Sequence, residues 1–542
     1  MNAVEDVDTT VSSAAALQAA FDGLSAGETI YISAANAPYR TTEWLDIDED
    51  DVAVVGPGLP GLVKPADGAD VGGIRIGHHT HCENVVVSGV GFHGNRDGQS
   101  GRYPRLHGIA VRDAANVTLA DNHIRRLGPL GHGDGGSGIS VTRHCSDIRV
   151  VGNVIEDWGD RGIQLAGTRL LATGNRLRDG LDRAISCDLW YPRETNHSAQ
   201  HALVCGNLMG EVREGSLTGV AHNTPVDEVR GNINVVGNVG FGAHKSFCHV
   251  RGPEPFRNVT IQSNTSIHET DGLDTEETQK YAGVAVDADE GETLSIRNNE
   301  FYGYSGHGVN VDSEIQNVAV QQNTLARPSG TGVRVRHATS GQVTGNLVVD
   351  PGKDGLRLED ALDLVVRNNY VRRPGGAGFD VRGSSGIAGH DVASNFVADA
   401  GGDGDASAIR ICDRGVRVRG NTIRRHSGDA AAISECQNAG ENVYETNHAD
   451  GEDPWRVASA DSRVRNNTPP VDVHHDLEAD PDREVVEVSF DRPYERPPRL
   501  TFGRTAGPVR DTTYRTDAQG NFVGAEINVE QAGTFDVFVD DG

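Results

Sequence analysis

The sequence predicts an all-β protein, a right-handed parallel β-helix, because two short phrases alternate along most of its 542 residues. The first phrase is an apolar strand that ends in asparagine, and it recurs every 20 to 35 residues. A loose period in the twenties is typical of a solenoid of stacked coils. The asparagines are Asn122, Asn153, Asn175, Asn207, Asn238, Asn264, Asn299, Asn323, Asn346, Asn369, Asn395, Asn421, Asn447 and Asn467.

The second phrase has the form Gly-Ile-x-Val and precedes each asparagine phrase. It starts at Gly138, Gly162, Ala184, Gly283, Gly308, Gly332, Gly355, Gly378 and Ala408. Both phrases alternate apolar and polar residues over lengths too short for helices, as strands buried on one face do. We therefore expect coils of about 22 to 26 residues with two or three strands each. The asparagines should stack as an amide ladder, each bonded to the next.

The two ends of the chain differ from the repeat. Residues 13–24 read as a short amphipathic helix with Ser13 near its start, placed to cover the exposed edge of the first coil. Near residue 470 the chain becomes rich in Pro and Asp, and strand-like runs with turn signals follow. The predicted domains are a cap with the first coils (1–60), the β-helix (61–470), a linker (471–482) and a small antiparallel, sandwich-like β module (483–542).

Composition limits the possible functions. A net charge of −29 and a pI near 5.1 argue against a nucleic-acid-binding surface. Lysine occurs only at Lys64, Lys245, Lys280 and Lys353, so nearly all of the 49 basic residues are arginines. This acidic, lysine-poor composition resembles that of haloarchaeal proteins; a GC-rich mesophile is the alternative. The seven cysteines show no metal-ligand spacing and suggest buried thiols.

Targeting signals are not visible in the sequence. The amino terminus is acidic and lacks an apolar core, and no stretch approaches the roughly 18 apolar residues of a membrane-spanning helix. We therefore expect no membrane insertion. The chain is expected to be intracellular, trimmed, or assembled into a particle without crossing a membrane.

The start of the chain carries a family resemblance. The order of cap helix, Gly27-Glu-Thr-Ile-Tyr-Ile-Ser33, Tyr39-Arg40 and Val54-Val-Gly-Pro-Gly58 resembles the pectate-lyase-like superfamily of lyases, hydrolases and viral tailspikes. The resemblance covers about residues 10–470. It implies a polysaccharide partner bound along one face and, from the tailspikes, a trimer. No catalytic motif of this superfamily matches: the chain has neither the combined Asn-Thr-Asp and Asp-Asp motif of polygalacturonases nor the Arg-containing signatures of pectate lyases.

Aromatic residues point to one possible sugar site. Only 5% of the chain is aromatic, yet Trp158, Trp190 and Tyr191 are predicted on turns of consecutive coils, where the repeat lengthens. Flat aromatic faces stack on sugar rings, so these three residues are predicted to bind ligand. The alternative is that they close the apolar ends of loops.

Carboxylates precede three strands of the same region. Asp134, Asp160 and Asp182 lie shortly before the Gly-Ile strands, and equivalent offsets would place them close together on one face. Crowded carboxylates raise each other's pKa, as in the acid/base pairs of glycosidases. They are predicted as catalytic, with ordinary turn aspartates as the alternative. A hard cation such as Ca²⁺ or Mg²⁺ is another alternative, although no metal-ligating residue is assigned.

A lyase would need a base beside a uronate carboxylate and a cation that stabilises the enolate. Arg161, Arg183, His244-Lys245 and Lys280-Tyr281 are the candidates nearby. Of these, Arg161, His244, Lys245 and Tyr281 join Trp158, Trp190 and Tyr191 as predicted ligand-binding residues. Enzyme activity is left open at this stage.

Three functional hypotheses follow. The first is a surface spike of a haloarchaeal tailed virus that binds host glycans and can degrade them. It would lie on the virion with other virion proteins as partners. The second is an extracellular polysaccharide lyase or glycoside hydrolase of a halophilic archaeon. The third is a structural solenoid without sugar chemistry.

Overall fold

The structure is a computed structural model. It describes residues 7–99, 106–128, 135–142, 144–189, 197–221, 231–243, 245–252, 255–268, 281–384, 386–401, 407–424, 431–450, 454–468, 473–478, 485–502, 509–529 and 534–540. The chain divides into two compact units, unit 1 (Met1–Ile315) and unit 2 (Gln316–Gly542). The predicted fold class is confirmed: both units contain coils of a parallel β-helix built from three parallel sheets. A short helix precedes the coils, and antiparallel sheets follow them.

Each coil passes through the three sheets in a fixed order. We name them by that order: sheet I contains the Gly-Ile-x-Val strands, sheet II the strands that end before the asparagines, and sheet III the strands that follow the asparagines. In every sheet a strand pairs in parallel with its equivalent one coil later, for example Ile139 with Ile163 in sheet I. Successive coils are therefore separated by the strand spacing, about 4.8 Å.

Near its amino terminus, after the strand Thr9–Val11, unit 1 contains the cap helix Ala14–Asp22, whose Ser13 Oγ accepts the Ala16 N–H at 3.1 Å, as the sequence predicts. A 3₁₀ turn spans Arg96–Gly98. Sheet I contains Leu45–Ile47, Ile74–Ile76, Ile109–Val111, Ile139–Val141, Ile163–Leu165, Ile185–Leu189, Thr218–Ala221, Cys248–Gly252, Val284–Ala288 and Val309–Asp312. Sheet II contains Thr9–Val11, Thr29–Ile32, Ala53–Val55, Cys82–Glu83, Val86–Ser88, Ala114–Ala120, Ser146–Val151, Gly167–Thr173, His197–Cys205, Ile233–Val236, Phe256–Gln262 and Glu290–Arg297. Sheet III contains Tyr39–Thr41, Val63–Pro65, Gly91–His93, His123–Arg125, Val154–Glu156, Arg176–Arg178, Leu208–Val212, Val239–Ala243, Thr265–Ile267 and Glu300–Tyr302.

Unit 2 repeats the three sheets over shorter coils. Sheet I contains Val333–Arg336, Leu356–Glu359, Phe379–Arg382, Ile409–Ile411, Ile433–Glu435 and Trp455–Arg456. Sheet II contains Glu314–Gln321, Gly341–Thr344, Leu364–Arg367, Asp391–Ala393, Arg417–Arg419, Val443–Glu445 and Arg463–Arg465. Sheet III contains Thr324–Ala326, Leu347–Val349, Tyr370–Arg372, Phe396–Ala398, Thr422–Arg424 and His448–Ala449.

The predicted asparagine ladder is confirmed within each unit. The side chain of Asn238, which is completely buried, shows the pattern. Its Nδ2 donates to Oδ1 of Asn264 at 3.0 Å and to the carbonyl oxygen of Val204 at 3.0 Å. Its Oδ1 accepts the backbone and side-chain N–H groups of Asn207 at 3.0 and 2.9 Å. The ladder runs from Asn122 to Asn299 in unit 1 and from Asn323 to Asn467 in unit 2.

A left-handed residue stands directly before every ladder asparagine. Gly152, Gly174 and Gly420, like Asp121 and Thr446, all have φ between 53° and 66°. This conformation turns the chain from sheet II into sheet III and directs the next side chain inward. Glycine adopts it without strain and Asn or Asp at small cost, which explains why the sequence repeats Gly-Asn and Asn-Asn.

The carboxyl-terminal part of unit 2 contains two three-stranded antiparallel sheets. One sheet contains Val473–Glu478, Thr534–Asp540 and Arg499–Phe502, and the other contains Val485–Tyr494, Phe522–Val529 and Val509–Thr516. Val473–Glu478 falls in the segment that we interpreted as a linker, and the sequence pattern also missed Val509–Thr516. Both strands carry many charged and polar residues, so their apolar alternation is weak.

Two further features bear on the location of the protein. Cys412 and Cys436, in neighbouring coils of unit 2, form a disulfide, so the expectation that all seven cysteines are thiols was wrong for these two. Cys82, Cys145, Cys187, Cys205 and Cys248 do not take part in disulfides. None of the helices in the described ranges has the length and apolarity needed to cross a bilayer.

Candidate functional site

The outer face of sheet I in unit 1 is the most unusual surface of that unit. In a strand the middle residue of Ile-x-Val points outward, and on sheet III such residues are open to solvent: Leu208, Val239 and Phe241 are 38 to 47% exposed. On sheet I the outward residues Gln164, Ser186 and His249 are all buried, and all are polar. Sheet I therefore carries a desolvated polar row outside the core, which defines the candidate site.

Register fixes the order of that row. Ser140 pairs with Gln164, Gln164 with Ser186, Ser186 with Gly219, and Gly219 with His249. Ser140 Oγ donates to Gln164 Oε1 at 3.2 Å. Because each step is one coil, the row offers a polar group about every 4.8 Å along the axis, interrupted only at Gly219.

An arginine fills the gap at Gly219. A Cβ added to Gly219 would collide with Cδ of Arg183, so the Arg183 side chain lies directly over this glycine. Its Nη1 donates to Ser186 Oγ at 3.4 Å. Glycine is thus required at 219 because it leaves room for a guanidinium in the middle of the row. Arg183 is only 5% exposed, and its position was suggested by the sequence.

Charged residues line one edge of the row, at the turn that enters sheet I. Asp160, Asp182, Gly215 and Lys245 occupy equivalent positions in four successive coils, since their distances from paired strand residues are equal. Asp160 is buried and forms an ion pair with Arg161 at 3.0 Å. The Asp182 carboxylate reaches toward the Cα of Gly215, where a Cβ would collide with its Oδ1.

The predicted carboxylate group is thus partly assembled. Asp160 and Asp182 occupy neighbouring equivalent positions, as the sequence offsets suggest. The position in line with them one coil earlier is Gly136, whose carbonyl oxygen accepts the Asp160 N–H at 3.3 Å. Asp134 itself lies outside the described residues.

His249, at the end of the row, forms a pair with Asp287. His249 Nε2 lies 2.9 Å from Asp287 Oδ1, and His249 is 5% exposed. Burial lowers the pKa of His249, Asp287 opposes this effect, and the nearby guanidinium groups of Arg183 and Arg251 add to it. The imidazole is therefore neutral at neutral pH. If Nε2 donates to the carboxylate, Nδ1 keeps its lone pair and can act as a base.

The remaining predicted residues do not all reach this site. Trp158 is completely buried and its ring packs on Gly180, so it offers no ring face to a ligand. Lys245 and Tyr281 are partly exposed, and their backbones pair with Gly215 and Gly306. Trp190, Tyr191 and His244 lie outside the described residues.

Sequence reasoning missed Gln164, Ser186, His249 and Asp287. The signal was present for the first two, because each is the x of a Gly-Ile-x-Val phrase, and the x positions form one outward row. His249 lies in Phe247-Cys-His-Val, which lacks the leading glycine and escaped the pattern. Among the described residues, no group of three or more His, Cys, Asp or Glu side chains is placed to hold a metal ion.

Comparison with known proteins supports the fold and no more. The family described as "Right handed beta helix region" matches residues 255–408. Among curated proteins, no sequence matches this chain.

Several solved structures are similar at low identity. A mutant tailspike protein of E. coli bacteriophage HK620 is 13% identical, with a TM-score of 0.44, over 98% of this chain and 90% of that chain. PfbA, a surface adhesin of Streptococcus pneumoniae, is 12% identical, with a TM-score of 0.39, over 78% and 88% of the two chains. The A-module of the Azotobacter vinelandii mannuronan C-5 epimerase AlgE6 is 15% identical, with a TM-score of 0.28, over 85% and 96%.

Proposed function

We propose that the outer face of sheet I in unit 1 binds an extended glycan. The observation that carries this proposal is the burial of polar and charged side chains outside the core. These residues are Asp160, Arg161, Gln164, Arg183, Ser186 and His249, each at most 5% exposed. Because they are covered in the unbound protein, the proposed binding includes displacement of the chain that lies over this face.

Burial of these groups has an energetic cost that the fold does not require. Charged and polar side chains lose hydration free energy when they leave water, and desolvated charged groups cluster at functional sites. The asparagine ladder and the aliphatic interior already stabilise the packing of one coil on the next. A row of donors and acceptors that repeats with each coil suits a polymer with repeating hydroxyl groups, such as a polysaccharide.

Lyase chemistry is the second candidate, and the His249–Asp287 pair favours it. His249 Nδ1 would take the proton next to a uronate carboxylate, with Arg183 stabilising the negative charge that develops on that carboxylate. The C–H electron pair would form a C=C bond, and the glycosidic oxygen would leave with the bonding pair and be protonated by water. A hydrolase fits less well, because Asp160, one of the two neighbouring carboxylates, is already held in an ion pair with Arg161 at 3.0 Å.

The biological setting that we propose is a spike on the surface of a haloarchaeal virus, with a secreted enzyme of a halophilic archaeon as the alternative. Two observations support a location outside the cell and in brine. The Cys412–Cys436 disulfide is typical of oxidising compartments. The net charge of −29 suits a protein whose surface repulsion is screened by molar salt. Assembly into a trimer belongs to the same proposal.

Glycan binding can be tested with the whole protein in molar salt. We expect immobilised S-layer glycans or exopolysaccharide of candidate hosts to retain the protein, and Arg183→Gln to reduce retention about tenfold, as expected for loss of a charge-assisted hydrogen bond. Arg178→Gln is the matched control, because Arg178 lies on sheet III, outside the row. No retention on any such glycan, or equal losses in both variants, would refute the binding site.

Product analysis separates binding from catalysis. A lyase would release unsaturated sugars that absorb in the ultraviolet, and His249→Asn would abolish their release while retaining glycan binding. A hydrolase would release reducing ends without unsaturation, and a pure receptor would release neither. For the spike, we expect the purified trimer to compete with virus particles for adsorption to host cells. Monomeric protein without such competition would favour the secreted enzyme.

A further inference from the structure

A group of arginines lies on the outer face of sheet I in unit 2. Arg357, Asp380 and Arg410 pair in register in three successive coils, and all three are the outward residues of their strands. Arg382 follows two residues after Asp380 on the same strand. Three guanidinium groups thus surround one carboxylate, and we call these four residues the Asp380 cluster.

Asp380 is completely buried, and its carboxylate lies beside the Nε atom of each arginine. Arg410 donates through Nε and Nη2 to the two carboxylate oxygens, both at 2.9 Å. Arg357 donates through Nε at 3.2 Å, and Arg382 Nε lies 3.2 Å from Oδ2. One negative charge therefore holds three positive charges in fixed positions.

Apart from Nη2 of Arg410, the terminal nitrogens of these arginines form no hydrogen bond with Asp380. Within the described part of the chain, Nη1 and Nη2 of Arg357 and of Arg382 form no hydrogen bond. The same holds for Nη1 of Arg410. The three side chains are 22, 35 and 36% exposed, so solvent reaches them. Five N–H-bearing nitrogens are thus positioned by a buried anchor and available to an oxyanion.

One further acid contacts the cluster: Asp354 Oδ2 lies 3.6 Å from Arg357 Nε, so two carboxylates face three guanidinium groups. Glu359 accepts from Nε and Nη2 of Arg334 at 3.2 and 2.9 Å and is already paired. Burial raises the pKa of Asp354, and the charge of Asp380 raises it further. Burial also raises the pKa of Asp413. The cluster consequently keeps an excess of positive charge on a chain whose net charge is −29.

We propose that the Asp380 cluster binds an oxyanion carried by an acidic polysaccharide, either a uronate carboxylate or a sulfate ester. The forked geometry of guanidinium matches both groups, and a polymer would follow the outer face of sheet I across successive coils. This site lies in unit 2 and is separate from the polar row of unit 1. It gives the protein a charge-selective contact that the hydroxyl-binding row does not provide.

The test is a binding titration with three defined polymers: polygalacturonate, dextran sulfate and uncharged dextran. It should be run at the lowest salt concentration at which circular dichroism shows the folded protein, because salt weakens exposed charge contacts. We expect at least one anionic polymer to bind at least about tenfold more tightly than dextran. Which of the two binds identifies the oxyanion.

Arg382→Gln is the most informative variant, because Arg382 contributes the weakest contact to Asp380 and its loss should leave the fold intact. It should lower affinity for the anionic polymer about tenfold, and Arg382→Lys should restore part of the loss. Arg372→Gln, on sheet III and 44% exposed, should bind like the unmodified protein. Because Arg382 and Arg372 both lie in unit 2 and neither belongs to the row of unit 1, the comparison of these two variants tests the Asp380 cluster independently of the site in unit 1. Equal binding by the Arg382→Gln and Arg372→Gln variants, or no preference over dextran, would overturn the proposal.

Discussion

The two units use the same repeat but present different outer faces on sheet I. In unit 1 the outward row is made of amide, hydroxyl and imidazole groups, with Asp287 half open to solvent beside His249. In unit 2 the equivalent row is Arg334, Arg357, Asp380 and Arg410. The inward residues on either side of these positions are apolar in both units, being aliphatic, aromatic or cysteine side chains. The fold thus constrains alternate residues of each strand and leaves the residues between them free to carry function.

The largest difference between the two rows should appear when a carboxylate is removed. Asp380→Asn would leave three arginines without their buried counter-charge, so we expect a loss of about 3 to 5 kcal/mol in the free energy of unfolding of unit 2. Denaturant titration measures this change. Asp350→Asn is the control, because Asp350 pairs with Arg373 at the surface and should cost at most about 1 kcal/mol. Similar losses for both variants would contradict the anchoring role of Asp380.

A second difference concerns pH and a buried histidine of unit 2. Burial lowers the pKa of His390 from 6.5 to about 4. The unfolded chain therefore binds the proton more readily, so stability is complete above pH 6.5 and falls as the pH drops toward 4, by about 3 kcal/mol in total. In unit 1 the pKa of His249 is also lowered, but Asp287 opposes the shift, so its contribution should be smaller.

His390→Asn tests this pH dependence with little structural change. His390 Nδ1 accepts the Leu364 N–H at 3.1 Å, and two coils later Asn442 Oδ1 accepts the Val416 N–H at the equivalent position. Denaturant midpoints at pH 7.5 and 4.5 should therefore lie closer together in the variant than in the original chain. An unchanged difference would show that His390 is not the group that titrates.

The ladder should show no difference between the units. Asn238→Ala in unit 1 and Asn395→Ala in unit 2 each remove the same pattern of hydrogen bonds and leave buried partners unsatisfied. We expect each to reduce the free energy of unfolding by about 2 to 3 kcal/mol. Calorimetry or denaturant titration of the two variants gives the comparison. A clear inequality would mean that the inward positions also differ between the units.

The smallest effect on stability is expected at Asp287. Its side chain is 39% exposed, so Asp287→Asn should change the free energy of unfolding by at most about 1 kcal/mol. If unit 1 is a lyase, the same variant should slow product release and move its pH profile, because the tautomer of His249 loses its partner. If the enzyme is active and the Asp287→Asn variant has unchanged kinetics, Asp287 has no part in the reaction.

The fold could be predicted from the sequence because the ladder repeats a local requirement: a left-handed residue followed by an asparagine. The site was harder to predict. The equivalent placement of Asp160 and Asp182 could be predicted because their offsets from the strands are equal. His249 and the Asp380 cluster were missed because the outward position alone does not show whether a side chain is buried. Burial depends on which segments lie over the sheet, and residue spacing within a coil carries no information about that.

Each ladder asparagine donates its side-chain N–H groups to the asparagine of the next coil and to a carbonyl oxygen of the preceding coil, and its Oδ1 accepts from the asparagine of the preceding coil. Successive coils therefore meet through the same set of hydrogen bonds. The coil is thus a repeating unit whose two ends carry matching hydrogen-bonding groups. Removing the 23 residues from Asn346 to the position before Asn369 would bring together two faces that already match. The length of such a repeat can therefore change by whole coils during evolution without a change in the hydrogen bonds that join the remaining coils.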